Sequence, residues 1–247
     1  MKHKSGLDYF FEGLHLVTKP GVRTFVLFPL IINVLLFGSA FWYLFGQIDL
    51  LVQEVIDWIP DWLEWLKESI AFFVWPIAVF IILLFSAYIF GTLANWIAAP
   101  FNGLLSERIE MILTGEEPPS GQFWQVFKDI PRTLGREVQK LGYYLPRAIG
   151  YLLLFFLLPV VGQVIWFLFT AWMMAVQYCD YPFDNHKVPF KTMRRELMQT
   201  KTDSFSFGIM VTFCSMIPIV NFIVMPVAIC GATSMWVDKY RQHYRIA

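Results

Sequence analysis

Charged residues are missing from four long stretches of the chain, Thr24 to Ile48, Ser69 to Ser106, Ala148 to Cys179 and Ser204 to Val237. A helix crosses a bilayer with roughly 20 apolar residues at about 1.5 Å each. The first run fits one crossing. The second fits one long helix, bent at Pro76 and continuing past the bilayer, and is tight for two. The third and fourth carry breakers near their middles, Pro159-Val160-Val161-Gly162-Gln163 and Pro218-Ile219-Val220-Asn221. Each therefore reads as a pair of short helices, and the matching turns resemble a weak internal repeat.

Two further segments have helical periodicity. Leu7, Phe10, Phe11, Leu14 and Val17 recur at helical spacing, with Asp8, Glu12 and His15 opposite. They predict a short helix at the membrane interface or one packed on its own protein. Phe123, Phe127, Ile130, Leu134, Leu141 and Leu145 mark an apolar face, while Lys128, Arg132, Arg136 and Lys140 fall every four residues. That basic stripe has two readings: snorkelling toward anionic headgroups, or an anion path in which Glu107 and Glu110 fix Arg132 and Arg136.

Loop charge predicts orientation. Lys2, Lys4, Lys19 and Arg23 precede the first run, and the next segment carries Asp49, Glu54, Asp57, Asp61, Glu64 and Glu68 against Lys67 alone. The positive-inside rule puts the N-terminus in the cytoplasm and the acidic segment outside. Arg108, Lys128, Arg132, Arg136, Lys140 and Arg147, then Lys187, Lys191, Arg194, Arg195 and Lys201, then Lys239, Arg241 and Arg245, return every later flank and the C-terminus to the cytoplasm. The third and fourth runs must then cross twice or not at all, and two crossings need about 40 residues plus a turn. The expected fold is an all-α integral membrane protein forming a single membrane domain over 1–247. It has two long transmembrane helices (about 24–48 and 69–106), two partly penetrating, re-entrant hairpins (about 148–179 and 204–237) and amphipathic cytoplasmic-side helices. The alternative is that each of the last two runs forms two tilted helices spanning a thinned bilayer. Backbone groups at a re-entrant turn need cover from protein or water, which implies a homo-oligomer.

Composition strengthens the membrane reading. The chain of 247 residues is 57% hydrophobic and 15% charged, against about 25% charged in soluble domains. Cys179, Cys214 and Cys230 lie in or at the end of apolar runs with no metal-ligand spacing and read as reduced packing residues. No Ser-His-Asp signature, Walker loop or dinucleotide fingerprint is present, so no enzyme, cofactor or nucleic-acid partner is expected. Asp180-Tyr181-Pro182-Phe183-Asp184-Asn185-His186 offers two carboxylates and an imidazole, but a zinc site would need a fourth ligand, and Pro182 with Asn185 predicts a loop, so no metal is assigned.

Lys19-Pro20-Gly21-Val22-Arg23 sets two cations, a turn and a helix start before the first apolar run. It reads as an anion site made of free N–H groups and a guanidinium, or as ordinary positive-inside anchors.

That stretch, followed by Phe28-Pro29-Leu30-Ile31-Ile32-Asn33, then Ala99-Pro100-Phe101-Asn102-Gly103-Leu104-Leu105-Ser106-Glu107, then Asp180 through His186, resembles the bacterial CysZ sulfate-permease family, itself similar to eukaryotic etoposide-induced membrane proteins. The resemblance implies sulfate uptake across the bacterial inner membrane to supply cysteine biosynthesis, by a channel-like or gradient-driven permease. It also implies two transmembrane helices and two hemi-penetrating hairpins. The family's Gly-Leu-Arg sulfate signature maps onto Gly21, Val22 and Arg23. Family members often carry a second Arg where Thr24 stands here, and its hydroxyl can still donate to sulfate. The alternative function is a non-transporting scaffold that binds anionic lipid through the basic stripe.

Overall fold

The computed structural model describes residues 4–60, 62–63, 67–116 and 123–244, and all regular structure among them is helical. The helices are α1 (Gly6–Val17), α2 (Arg23–Gly46), α3 (Ile48–Asp57), α4 (Lys67–Thr114), α5 (Phe123–Leu157), α6 (Val161–Asn185), α7 (Phe190–Gln199), α8 (Lys201–Ser215) and α9 (Pro218–Lys239), with a 3-10 turn at Arg241–Tyr244. Lys2, Asp61, Glu64 and Arg245, used above for orientation, lie outside the described residues, as do the side chains of Phe123, Phe127, Lys128 and Ile130. The chain divides into two compact units, one of Met1–Val26 with Pro100–Ala247 and one of Leu27–Ala99.

The smaller unit holds most of α2, all of α3 and the first part of α4. Leu35, Trp42, Tyr43, Phe72, Phe73 and Phe80 are all exposed there. Among the described residues one helix, Val161–Asn185 in the larger unit, is long and apolar enough to cross a membrane.

In the larger unit α6, α8 and α9 form the core, with α1 and α5 packed on it. Ser5 starts α1 through a capping box, its hydroxyl accepting from the Asp8 amide at 3.4 Å while the Asp8 carboxylate accepts from the Ser5 amide at 2.7 Å. The face of α1 that packs inward differs from the expected one: Tyr9, Phe10, Gly13 and Leu16 are buried, whereas Leu7, Phe11 and Leu14 stay exposed. The physical reason is Gly13, where a Cβ would stand 2.2 Å from the Val227 carbonyl oxygen. The missing side chain lets α9 approach along that face, and Leu7, Phe11 and Leu14 are turned outward.

The helix breaks fall at the predicted turns. α5 ends at Leu157 and α6 begins at Val161, with Val160 at φ 66 between them, while α8 ends at Ser215 and α9 begins at Pro218. Proline suits the first helical position because its missing N–H would have no intrahelical acceptor there. At the far end of the core Phe183 and Trp236, both fully buried, meet edge to face at 4.5 Å, with Tyr240 at 5.1 Å from Phe183 and Tyr244 at 5.8 Å from Trp236.

Helix α6 also corrects the sequence reading. Asp180 to Asn185 is helical and not a loop, the helix running through Pro182 to Asn185. Asn185 ties the end down by donating to the Gly103 carbonyl at 3.0 Å. Helical geometry then puts Asp180 and Asp184 on one face, four residues apart.

Candidate anion-binding mouth and its charge network

The link between α1 and α2 is a β-turn. The Val22 amide donates to the Lys19 carbonyl at 3.2 Å, and Gly21 sits at φ 82. Proline at the second corner and a left-handed glycine at the third are the signature of a type II turn. Pro20 therefore belongs to the turn and not to the first turn of α2, which begins at Arg23. The side chain of Val22 is fully buried and anchors the turn, while Gly21, Arg23 and Thr24 are exposed. Arg23 Nε donates to the Thr18 carbonyl at 3.0 Å, which holds the guanidinium against the turn.

Two expectations about this mouth change. The Val22 amide closes the turn, so it is not offered to a ligand as expected. The backbone donors left are the amides of Arg23 and Thr24, which in the first turn of a helix have no intrahelical acceptor. Sequence reading also missed Arg108 as a neighbour of the mouth, having used it only for orientation. Its Nη2 lies 3.0 Å from the point where a Cβ on Gly21 would stand. Gly21 is thus demanded by its backbone angle, and the guanidinium packs close against it.

The second group of predicted residues is brought together in part. Arg136 Nε and Nη2 donate to Asp180 Oδ1 at 2.9 and 2.6 Å, and its Nη1 donates to the Val188 carbonyl at 2.7 Å. Lys140 reaches Asp180 Oδ2 at 3.3 Å, and Arg132 pairs with Asp184. Arg136 and Lys140 are buried. Cations at four-residue spacing on α5 thus meet two acids at the same spacing on α6, forming a ladder between the helices. The outward face of α5 carries exposed Leu134, Val138, Leu141 and Leu145. The basic stripe points inward and the apolar stripe outward, the reverse of a helix lying on a headgroup layer.

Glu110 does not anchor these arginines as expected. Its carboxylate meets His186 Nε2 at 2.9 Å and accepts from Arg241 Nε at 2.7 Å. Burial pushes the Glu110 carboxyl upward, but the bonds and charges of His186 and Arg241 outweigh it and hold the group below its ordinary range. Arg241 also pairs with Glu116. Glu107 is buried on the same stretch of α4. Beside the ladder lies a cleft of about 320 Å³ lined by Arg132, Arg136, Gln139, Asp184, Lys187 and Lys191, among others. Its one acid, Asp184, is already matched to Arg132, and the further cations of the lining leave it cationic. Asp180 and Asp184 face cations of α5 while His186 faces Glu110, and among the described residues no group of three acidic, His or Cys side chains is arranged to hold a metal.

An all-helical, strongly apolar chain with salt bridges sealed between its helices and a cation-bordered helix mouth has the character of a helical membrane protein. The chain belongs to the family described as sulfate transporter CysZ/etoposide-induced protein 2.4, whose profile matches residues 9–226. Its relatives include the sulfate transporter CysZ of Salmonella typhimurium strain LT2, 53% identical over 247 residues that cover 98% of this chain and 96% of the relative. The proteins of the same name from Salmonella enteritidis PT4 and Salmonella gallinarum are similar to the same extent, 53% over 98% of this chain.

Proposed function

We propose that this protein carries sulfate across the bacterial inner membrane and supplies sulfur for cysteine biosynthesis. The observation that carries the reading is the 53% identity to a sulfate transporter over 98% of the chain. Sulfate is a dianion, and an uncompensated charge in hydrocarbon is costly, so passage needs fixed cations and donors. Gly21, Val22, Arg23 and Thr24 form the binding mouth: Arg23 gives charge-assisted bonds, the Arg23 and Thr24 amides give neutral ones, the Thr24 hydroxyl a further donor, and Val22 acts as the buried anchor.

Arg132 and Arg136, paired with Asp184 and Asp180, border the path together with Glu110, paired with His186 and Arg241, and the buried Glu107 beside it on α4. The transmembrane part is a single membrane domain over 1–247, with α2 and α4 as its two crossings. The pairs α5–α6 and α8–α9 enter as re-entrant hairpins, and both termini are cytoplasmic. The exposed apolar stripe of α5 supports lipid contact along that hairpin. Homo-oligomerisation covers the polar turns and builds a channel-like constriction between subunits. The scaffold alternative is weakened, because Arg136 and Lys140 are spent on Asp180 and are not presented to headgroups.

The test is labelled-sulfate uptake into proteoliposomes. Wild type should take up sulfate, and Arg23→Ala should slow uptake at least about tenfold, the loss of one charge-assisted bond. Equal rates for the two would remove Arg23 from the site.

A further inference from the structure

We infer that Arg108 is a sulfate-binding residue of the mouth, a second guanidinium that closes on the anion from α4 while Arg23 holds it from α2. This rests on the reading of the Gly21 turn as the sulfate site and adds to it a residue from a distant part of the chain.

Position comes first. Around the point where a Gly21 Cβ would stand, Arg108 places Nη2 at 3.0 Å, Nε at 3.6 Å and Cζ at 3.7 Å, so the Nε–Nη2 edge of the guanidinium faces Gly21. The residue sits on a firm support, since Leu105, Ser106, Glu107, Ile109 and Glu110 beside it on α4 are all buried. Charge comes second. Arg132, Arg136, Lys140, Lys239 and Arg241 in this unit each have a carboxylate. Arg108 has none among the described residues, its side chain meeting the Met111 sulfur at 3.8 Å. A half-buried guanidinium bonded only to a thioether is short of an anion, and it faces a turn whose other exposed groups are cations and donors.

Geometry comes third. Arg23 commits Nε to the Thr18 carbonyl, which leaves its Nη atoms for a ligand. Two guanidinium groups supply two positive charges and forked donors to a tetrahedral dianion, a match that a single arginine cannot make. The same arrangement puts Gly21 and the guanidinium in close contact: a Cβ there would make Arg108 give way by a few tenths of an ångström.

The experiment is sulfate titration by calorimetry on the full-length protein in nanodiscs, for wild type, Arg108→Gln, Arg108→Lys and Arg23→Ala. Arg108→Gln should weaken sulfate binding roughly 10- to 100-fold, the range for a lost charge-assisted bond. Arg108→Lys, which keeps the charge and loses the fork, should recover part of it. In wild type, sulfate should also slow modification of Arg108 by phenylglyoxal, read by mass spectrometry, a measurement that needs no variant to fold. Wild-type affinity in Arg108→Gln with loss in Arg23→Ala, or no protection of Arg108 by sulfate, would overturn the inference and leave the mouth standing. Absence of sulfate binding in wild type would instead remove the mouth itself.

Discussion

Replacing Asp180 with alanine tests the ladder that holds α5 to α6. Asp180 is 2% exposed and accepts two bonds from Arg136, at 2.9 and 2.6 Å, with Lys140 at 3.3 Å. Without it Arg136, itself 7% exposed, keeps the Val188 carbonyl and a distant Asp184 oxygen at 3.9 Å. Lys140 keeps Glu137. Breaking a buried pair by removing one partner costs about 3–5 kcal/mol, and the retained contacts point to the lower end. At roughly 2–4 °C per kcal/mol for a chain of this size, thermal unfolding in detergent should fall by about 6–12 °C. Tryptophan fluorescence or circular dichroism would read the transition. The triple variant Asp180→Leu, Arg136→Met, Lys140→Met should regain most of the loss, because apolar side chains of similar volume replace buried ion pairs at little cost. A shift under about 2 °C in Asp180→Ala would mean that the pair contributes less than 1 kcal/mol and that the ladder does not hold the helices together.

Two other outcomes follow from the same geometry. A nitroxide at Val138, on the outward stripe of α5, should collide with oxygen dissolved in the bilayer more than with a water-soluble nickel complex, and the opposite ranking would put that face in water. Glu110 is held below its ordinary value of 4.5 by His186 and Arg241, so it stabilises the fold above that pH and the contribution is lost as pH falls through the depressed value. The stability gap between wild type and Glu110→Gln should therefore shrink as pH is lowered below 4.5, and a gap that stays constant as the carboxyl is protonated would contradict the pairing.

Much of the mouth was legible in the linear order of residues. Pro20-Gly21 between two cations announces a turn, and the uncharged run after it announces a helix start. The role of Val22 was less visible, because whether an amide is free depends on which carbonyl closes the turn, and the Lys19 carbonyl takes it. Arg108 was invisible as a neighbour, since it comes from α4 and meets Gly21 only through tertiary packing. The Asp180–His186 segment was misjudged because Pro182 and Asn185 favour loops locally. Packing of Phe183 against Trp236 and the bond from Asn185 to Gly103 carry the helix through instead.

What the amino-acid order determined by itself was the chain's helical, apolar character and the places where its helices turn, because periodicity and breaker residues act over a few positions. The direction each amphipathic face points was decided only in three dimensions. A basic stripe on α5 suits water and headgroups as well as buried acids, and only the placement of Asp180 and Asp184 opposite it turns the charges inward and leaves the leucines outside. The same holds for α1, where the close approach allowed at Gly13 puts Tyr9, Phe10 and Leu16 on the buried face and leaves Leu7, Phe11 and Leu14 outside.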